Sequence, residues 1–217
     1  MTRNVLIAGA GPGVSGSLAR LYAAEGGQVA LLGAEEQVLA DLSADVEAAG
    51  AEALPAVVDL TDDAATRAVV TRLAEQLGHL DVVHFNPSAY REKDPLSLTP
   101  DELLDDVRLG VGALLTVVQA ARPFMGPGGR VSATGSMAAD TPWHGAASLG
   151  VQKAGLQNLV RSLDRTLAGD GIRAVSVTVR GLLAKEGPFA PDNVAAALRA
   201  AIDQDEDSWQ AEVPYSG

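Results

Sequence analysis

Three side chains able to do chemistry fall within one stretch of the chain: Ser136, His144 and Lys153. Ser136 ends Ala133-Thr134-Gly135-Ser136, and His144 lies in Pro142-Trp143-His144-Gly145. Lys153 lies in Ser148-Leu149-Gly150-Val151-Gln152-Lys153-Ala154-Gly155-Leu156. The serine hydroxyl can hold a substrate oxygen, and an imidazole with a free pKa of about 6.5 can move a proton near neutral pH. An ammonium set among Leu149, Val151, Ala154 and Leu156 is costly unless it finds a partner. Each residue also has a plainer reading, as a strand-end serine, a surface-loop histidine and an exposed helix lysine. Position 149, 13 residues after Ser136 and four before Lys153, is leucine. Leucine has no ionisable group and cannot serve as general acid or base.

A second constellation opens the chain. Val5-Leu6-Ile7-Ala8 runs into Gly9-Ala10-Gly11-Pro12-Gly13-Val14-Ser15-Gly16, a buried strand turning into a helix through glycines. Gly9, Gly11 and Gly13 let the backbone approach a pyrophosphate, and a helix opening at Val14 and Ser15 offers amide donors and a positive dipole end. The alternative is a structural turn that binds nothing. Asp59-Leu60 follows the third strand and, from the residues alone, reads as a cap before Thr61-Asp62-Asp63. Asn86 follows the fourth strand in Phe85-Asn86-Pro87-Ser88, and Tyr90 stands just beyond it, within reach of the same end of the sheet.

The elements that must position these residues alternate throughout. Strands are expected at 5–8, 28–32, 53–58, 82–85, 129–134 and 172–179, with a last edge strand at 209–213. Helices are expected at 15–26, 35–49, 63–77, 146–167 and 192–202. Thr99-Pro100-Asp101-Glu102 has a capping threonine, proline in the first turn and early acids, so it opens a long helix reaching Ala121. Such alternation predicts an α/β fold, a doubly wound parallel sheet with helices on both faces that binds ligands beyond the carboxyl ends of its strands. Without repeat or linker, residues 1–217 read as one domain.

Bulk properties narrow the partners. A net charge of −12 and a pI near 4.5 argue against nucleic acid or an anionic membrane. No run approaches the roughly 18 apolar residues of a membrane span, and the N-terminus reads as a first strand, not a signal peptide. The absence of cysteine removes disulfides and thiolates, and a cytoplasmic location is expected. Three histidines, His79, His84 and His144, lack metal-ligand spacing, so no metal is expected. His84, on a strand, reads as a packed core residue.

Taken with the spacing of Ser136 and Lys153, the glycine loop resembles that of the short-chain dehydrogenase/reductase family, over nearly the whole chain. The resemblance implies a Rossmann-type fold, an NAD(P) cofactor, a small carbonyl or alcohol substrate and a homodimer or homotetramer formed through the long helices opening near Asp101 and Ala146. It gives Ser136 the substrate oxygen, Lys153 the nicotinamide ribose, and Gly9, Gly11, Gly13, Val14, Ser15, Asp59, Leu60 and Asn86 the rest of the cofactor. In the family a tyrosine occupies position 149 and passes the proton. Here that tyrosine is Leu149, the active-site asparagine is Gly110, the third loop glycine is Ser15, and the turn after the sixth strand is Val179-Arg180-Gly181. His144, in the loop that faces the cleft in the family, is a candidate replacement for the proton donor. Arg180 either binds an anionic substrate or lies at the surface. The segment from Gly181 to Pro191 is short, a flap with Phe189 as an apolar plug, and leaves the site less enclosed. Glu35 and Glu36, beyond the second strand, would repel a 2′-phosphate and favour NAD over NADP.

Three functions fit these residues. The first is an atypical oxidoreductase whose proton comes from a non-tyrosine donor, water included. The second is a non-redox enzyme (cyclase, isomerase or dehydratase) using Ser136, His144 and Lys153. The third is a non-catalytic binding protein on the same scaffold.

Overall fold

A computed structural model describes residues 2–217. Seven strands, β1 (Val5–Ala8), β2 (Val29–Gly33), β3 (Ala53–Val57), β4 (Leu80–Phe85), β5 (Met125–Ser136), β6 (Arg173–Val179) and β7 (Glu212–Tyr215), form one sheet in the order β3-β2-β1-β4-β5-β6-β7. Every pairing is parallel. The strand order reverses direction between β1 and β4, which is the crevice position where a doubly wound sheet binds ligands.

Alternation along β1 sorts its side chains to opposite faces. Leu6 and Ala8 join the core under α3 (Asp63–Leu77), α5 (Ala113–Ala121) and α6 (Ala147–Leu167). Val5 and Ile7 join the core under α1 (Val14–Ala24), α2 (Glu36–Ala48) and α7 (Pro191–Ile202). The sheet is therefore covered on both faces, as the alternating strands and helices require.

Three elements depart most from the sequence expectations, and the first is β5, which begins at Met125, four residues earlier than expected, and runs on to Ser136. The helix opened by Thr99 does reach Ala121, and its capping box with Glu102 is present, but it is broken into α4 (Pro100–Val107), a π-helical turn (Arg108–Gly112) and α5. Gly110 lies in that turn. The last strand starts at Glu212, three residues later than expected, because Trp209 is captured outside it. Its ring lies 5.1 Å from the Arg130 guanidinium and 4.9 Å from that of Arg173. No helix among the described residues is long and apolar enough to cross a membrane.

Candidate active site

The cleft at the switch point has a volume of about 350 Å3 and brings together Gly13, Val14, Asn86, Ser136, Leu149 and Lys153. Ser88, Tyr90, Thr134, Val179 and Leu183 also line it. A larger groove, about 520 Å3, is lined by Pro95, Leu103, Trp143, His144 and Val151. It is mostly apolar and contains neither Ser136 nor Lys153, so the smaller cleft is the candidate site. His144 opens onto this other groove, and the structure does not bring it together with Ser136 and Lys153.

Lys153 is where the sequence placed it, on the first turns of α6, and only 5% of it is exposed. Its ammonium donates to the Thr134 carbonyl oxygen at 2.8 Å. Burial pulls its pKa down from 10.5 to about 8, the direction expected for a desolvated cation. Ser136, at the end of β5, accepts from the Ala138 amide at 3.2 Å and so caps the short turn that follows.

Behind Lys153 runs a chain of neutral hydrogen bonds. The Ser132 hydroxyl lies 2.8 Å from His84 Nδ1, and His84 Nε2 lies 3.3 Å from Thr134 Oγ1. Thr134 Oγ1 donates to Asn86 Oδ1 at 2.8 Å, and Asn86 Nδ2 donates to the Gly9 carbonyl at 3.4 Å. Because Thr134 spends its proton on Asn86, His84 must donate from Nε2 and accept at Nδ1, which assigns the tautomer. Burial, reinforced by the nearby Lys153 cation, pulls the His84 pKa down to about 3, so the imidazole is neutral at physiological pH. His84 is thus a fully buried core residue, and its polar role is to tie β4, β5 and the glycine loop together.

The loop after β1 has two characters. A Cβ at Gly11 or Gly13 would meet nothing within 4 Å, so the backbone faces open space. No side chain caps the start of α1, which leaves its first amides able to meet a phosphate. Gly9 has φ 77°, and a Cβ there would stand 2.6 Å from the Pro87 ring. Only glycine fits that position. Ser15, in contrast, turns inward: its hydroxyl accepts from the Gly11 amide at 3.0 Å and donates to the Gly9 carbonyl at 3.1 Å.

Asp59 is exposed and uses its carboxylate on the amide and hydroxyl of Thr61, at 2.9 and 2.7 Å. These bonds hold its pKa below the usual carboxylate value. Leu60 buries its side chain in the core under α3, leaving its backbone for any ligand contact. Arg180 lies at the surface, paired with Asp140 at 2.9 Å. Phe189 does not plug the cleft. It packs over Gly181 and edge-to-face against Tyr215, 5.8 Å between ring centroids, and Leu183 takes the cleft wall instead.

Sequence reasoning missed Thr134 and Gln152. Gln152 is fully buried and grips the backbone of Ala89 with both ends of its amide, each bond 2.9 Å. The available signal was a polar residue on the inward face of α6 opposite a glycine, Gly110, where a side chain is expected.

A family model for short chain dehydrogenases matches residues 3–184. The chain is 29% identical over 174 residues to the uncharacterized oxidoreductase YghA of Escherichia coli, covering 79% of this chain and 59% of that protein. It is 25% identical over 226 residues to the uncharacterized oxidoreductase Lmo0432 of Listeria monocytogenes, covering 94% and 91% respectively. Some curated relatives are therefore much longer than the matched part: this chain spans about three fifths of YghA and of a Pseudocercospora fijiensis short chain dehydrogenase. Among solved structures, a Burkholderia cenocepacia short chain dehydrogenase in complex with NADP superposes with a TM-score of 0.90 at 26% identity, over 100% of this chain and 97% of that one. The sheet order, the switch-point cleft with its serine and lysine, and these similarities lead to one conclusion: the chain belongs to the short-chain dehydrogenase family.

Proposed function

We propose that this chain is an atypical NAD(P)-dependent oxidoreductase acting on a small carbonyl or alcohol. The observation that carries the reading is Lys153, a buried ammonium held on the floor of a cleft that also contains Ser136 and the open helix start at Gly13 and Val14. A dinucleotide, when bound, supplies or accepts the hydride. The amides at Gly13 and Val14 would take its phosphates, Asn86 and Lys153 its nicotinamide half, and the Asp59-Leu60 turn its adenine. Ser136 then holds the substrate oxygen, while Leu149, Val179 and Leu183 present apolar walls that exclude water from the reacting face.

NAD suits the adenosine side better than NADP. Glu35 and Glu36 are exposed just past β2. Arg20, the cation nearest Pro12 in the adjoining depression, is paired with Asp45 at 3.2 Å. A 2′-phosphate would meet carboxylates there. The exposed Leu104 and Val151, on α4 and α6, suit subunit contacts in a homodimer or homotetramer.

One observation favours a non-redox enzyme in the same cleft: Ser15 occupies the Gly11 amide that a pyrophosphate would otherwise use. Calorimetric titration with NAD, NADH, NADP and NADPH separates the readings. Micromolar binding of NAD or NADH, followed by oxidation of NADH in a screen of small ketones and aldehydes, is the expected result. No binding of any of the four overturns the redox reading.

A further inference from the structure

The cleft has lost the tyrosine expected at position 149, yet it contains a phenol. The chain has three tyrosines, Tyr22, Tyr90 and Tyr215. Tyr22 lies on α1 and is fully buried, and Tyr215 spends its hydroxyl on the Pro188 carbonyl at 2.6 Å. Tyr90 alone lines the cleft, with Ser136, Leu149 and Lys153, and 63% of it is exposed.

An exposed tyrosine on a loop is ordinarily loosely placed, but this one is bracketed. The residue before it, Ala89, has both its N–H and its C=O bound by the fully buried Gln152 amide. The residue after it, Arg91, forms a two-point ion pair with the buried Asp106, Nε at 3.1 Å and Nη2 at 3.0 Å. Two residues further on, the Lys93 carbonyl accepts from the Ala147 amide at 3.0 Å and its ammonium pairs with Glu102 at 2.6 Å. Buried polar groups are costly unless satisfied. Here two of them are spent on fixing the backbone either side of one phenol. Leu149, Gln152 and Lys153 recur at i, i+3 and i+4, so they share one face of α6. The clamp therefore comes from the same helix face that carries the lysine and has lost the tyrosine.

The other polar side chains of the cleft do not fill the vacancy. Serine and threonine hydroxyls are too weakly acidic to exchange protons readily, the Asn86 amide does not ionise, and Lys153, anchored by one of its three N–H donors on the Thr134 carbonyl, is assigned above to the nicotinamide half of the cofactor. We propose that Tyr90 is the proton donor and acceptor of this cleft. In the reduction direction the Tyr90 Oη–H bond breaks, the proton passes to the substrate oxygen as its carbon receives hydride, and the electron pair stays on the phenolate. Water then returns the proton. In the alcohol direction the steps reverse. This assignment rests on the redox reading above.

The test labels the full chain with 3-fluorotyrosine and identifies the Tyr90 fluorine signal by its absence in Tyr90→Phe. Calorimetry first establishes whether NADH binds. The expected result is that NADH, and then isobutyramide as an unreactive carbonyl mimic, shift the Tyr90 signal and leave Tyr22 unmoved. On the ketone that turns over best, Tyr90→Phe should lower kcat about 100-fold or more, the scale of general acid catalysis, with KM within about threefold. NADH binding with an unmoved Tyr90 signal overturns the assignment alone. So does a Tyr90→Phe variant that keeps its turnover, which would make the ring a packing surface. Failure of NADH to bind overturns the redox reading, and this assignment with it.

Discussion

Gly110 and Gln152 face each other so closely that a Cβ added at position 110 would stand 2.3 Å from Gln152 Oε1. The two positions are therefore one substitution in physical terms. An asparagine at 110, the residue that the family resemblance leads one to expect there, needs space that the Gln152 amide occupies here, and that amide is engaged in holding Ala89. The π-helical turn at Arg108–Gly112 is the local backbone form that brings the glycine against α6.

Gly110→Asn should destabilise the protein by about 1–3 kcal/mol, the usual cost of overpacking, measured by urea unfolding. Gln152→Ala alone should cost about 1–3 kcal/mol by leaving the Ala89 N–H and C=O without their partner. Because Gln152→Ala removes the amide that an asparagine at 110 would strike, the double variant should be more stable than the sum predicts. Simple additivity would show that the contact is relieved by backbone movement instead.

Lys153 makes stability depend on pH in the alkaline range. Its pKa is about 8 in the folded chain against 10.5 for a free lysine, so between those values the unfolded chain binds more protons and stability rises with pH. Below pH 8 the buried charge costs about 3 kcal/mol in full. Unfolding free energies measured from pH 7 to 10.5 should climb in the parent chain and stay nearly flat in Lys153→Met. Equal slopes in both would mean that the ammonium is better solvated than its burial implies.

His84 acts on the acid side. Its folded pKa is about 3 against 6.5 when free, so the unfolded chain binds the extra proton first as pH falls. The contribution is complete above pH 6.5 and is lost at about 1.4 kcal/mol per pH unit below it. His84→Gln keeps a hydrogen-bonding amide between Ser132 and Thr134 while removing the titration. Its stability should therefore fall less steeply than the parent's between pH 6 and 4, and an identical fall would locate the acid sensitivity elsewhere.

The parts of this site that were legible in sequence are those set by local pattern. The run Val5–Ala8 into a glycine loop fixed β1 and the start of α1, and the apolar neighbours of Lys153 already made a free charge there costly. Residues set by distant contacts were not legible. Gln152 is 63 residues from the Ala89 it grips, and nothing near it in sequence marks that contact. Trp209 left the expected strand because Arg130 and Arg173 hold it from other strands. His144 sits in a loop of the expected kind, but the loop turns it toward the groove beside Leu103 and Val151.

Leu149 offers a direct check on Tyr90. The leucine is half-buried and lines the cleft, so a tyrosine there points into the same space. In the Tyr90→Phe background, Leu149→Tyr should restore turnover at least tenfold on the same ketone. A second phenol that restores nothing, in a protein still binding NADH, would mean that the cleft does not deliver substrate to a donor at position 149.

Ser15 sets how tightly the glycine loop can hold a pyrophosphate. Its hydroxyl satisfies the Gly11 amide and the Gly9 carbonyl within the loop, so a phosphate must compete with an existing bond. Ser15→Gly releases that amide and restores the third glycine of the family pattern. The change weakens the first turn of α1 by roughly 0.5–1 kcal/mol, glycine's usual helix cost. A phosphate bond from a freed amide is charge-assisted and contributes about 1.5–3 kcal/mol. The gain exceeds the helix cost, and binding reads the gain while unfolding reads the cost. NADH should therefore bind Ser15→Gly about tenfold or more tightly by calorimetry, while its melting temperature falls by a few degrees in the absence of nucleotide. Unchanged affinity with the lower melting temperature would show that Gly11 takes no part in nucleotide binding and that Ser15 serves the loop alone.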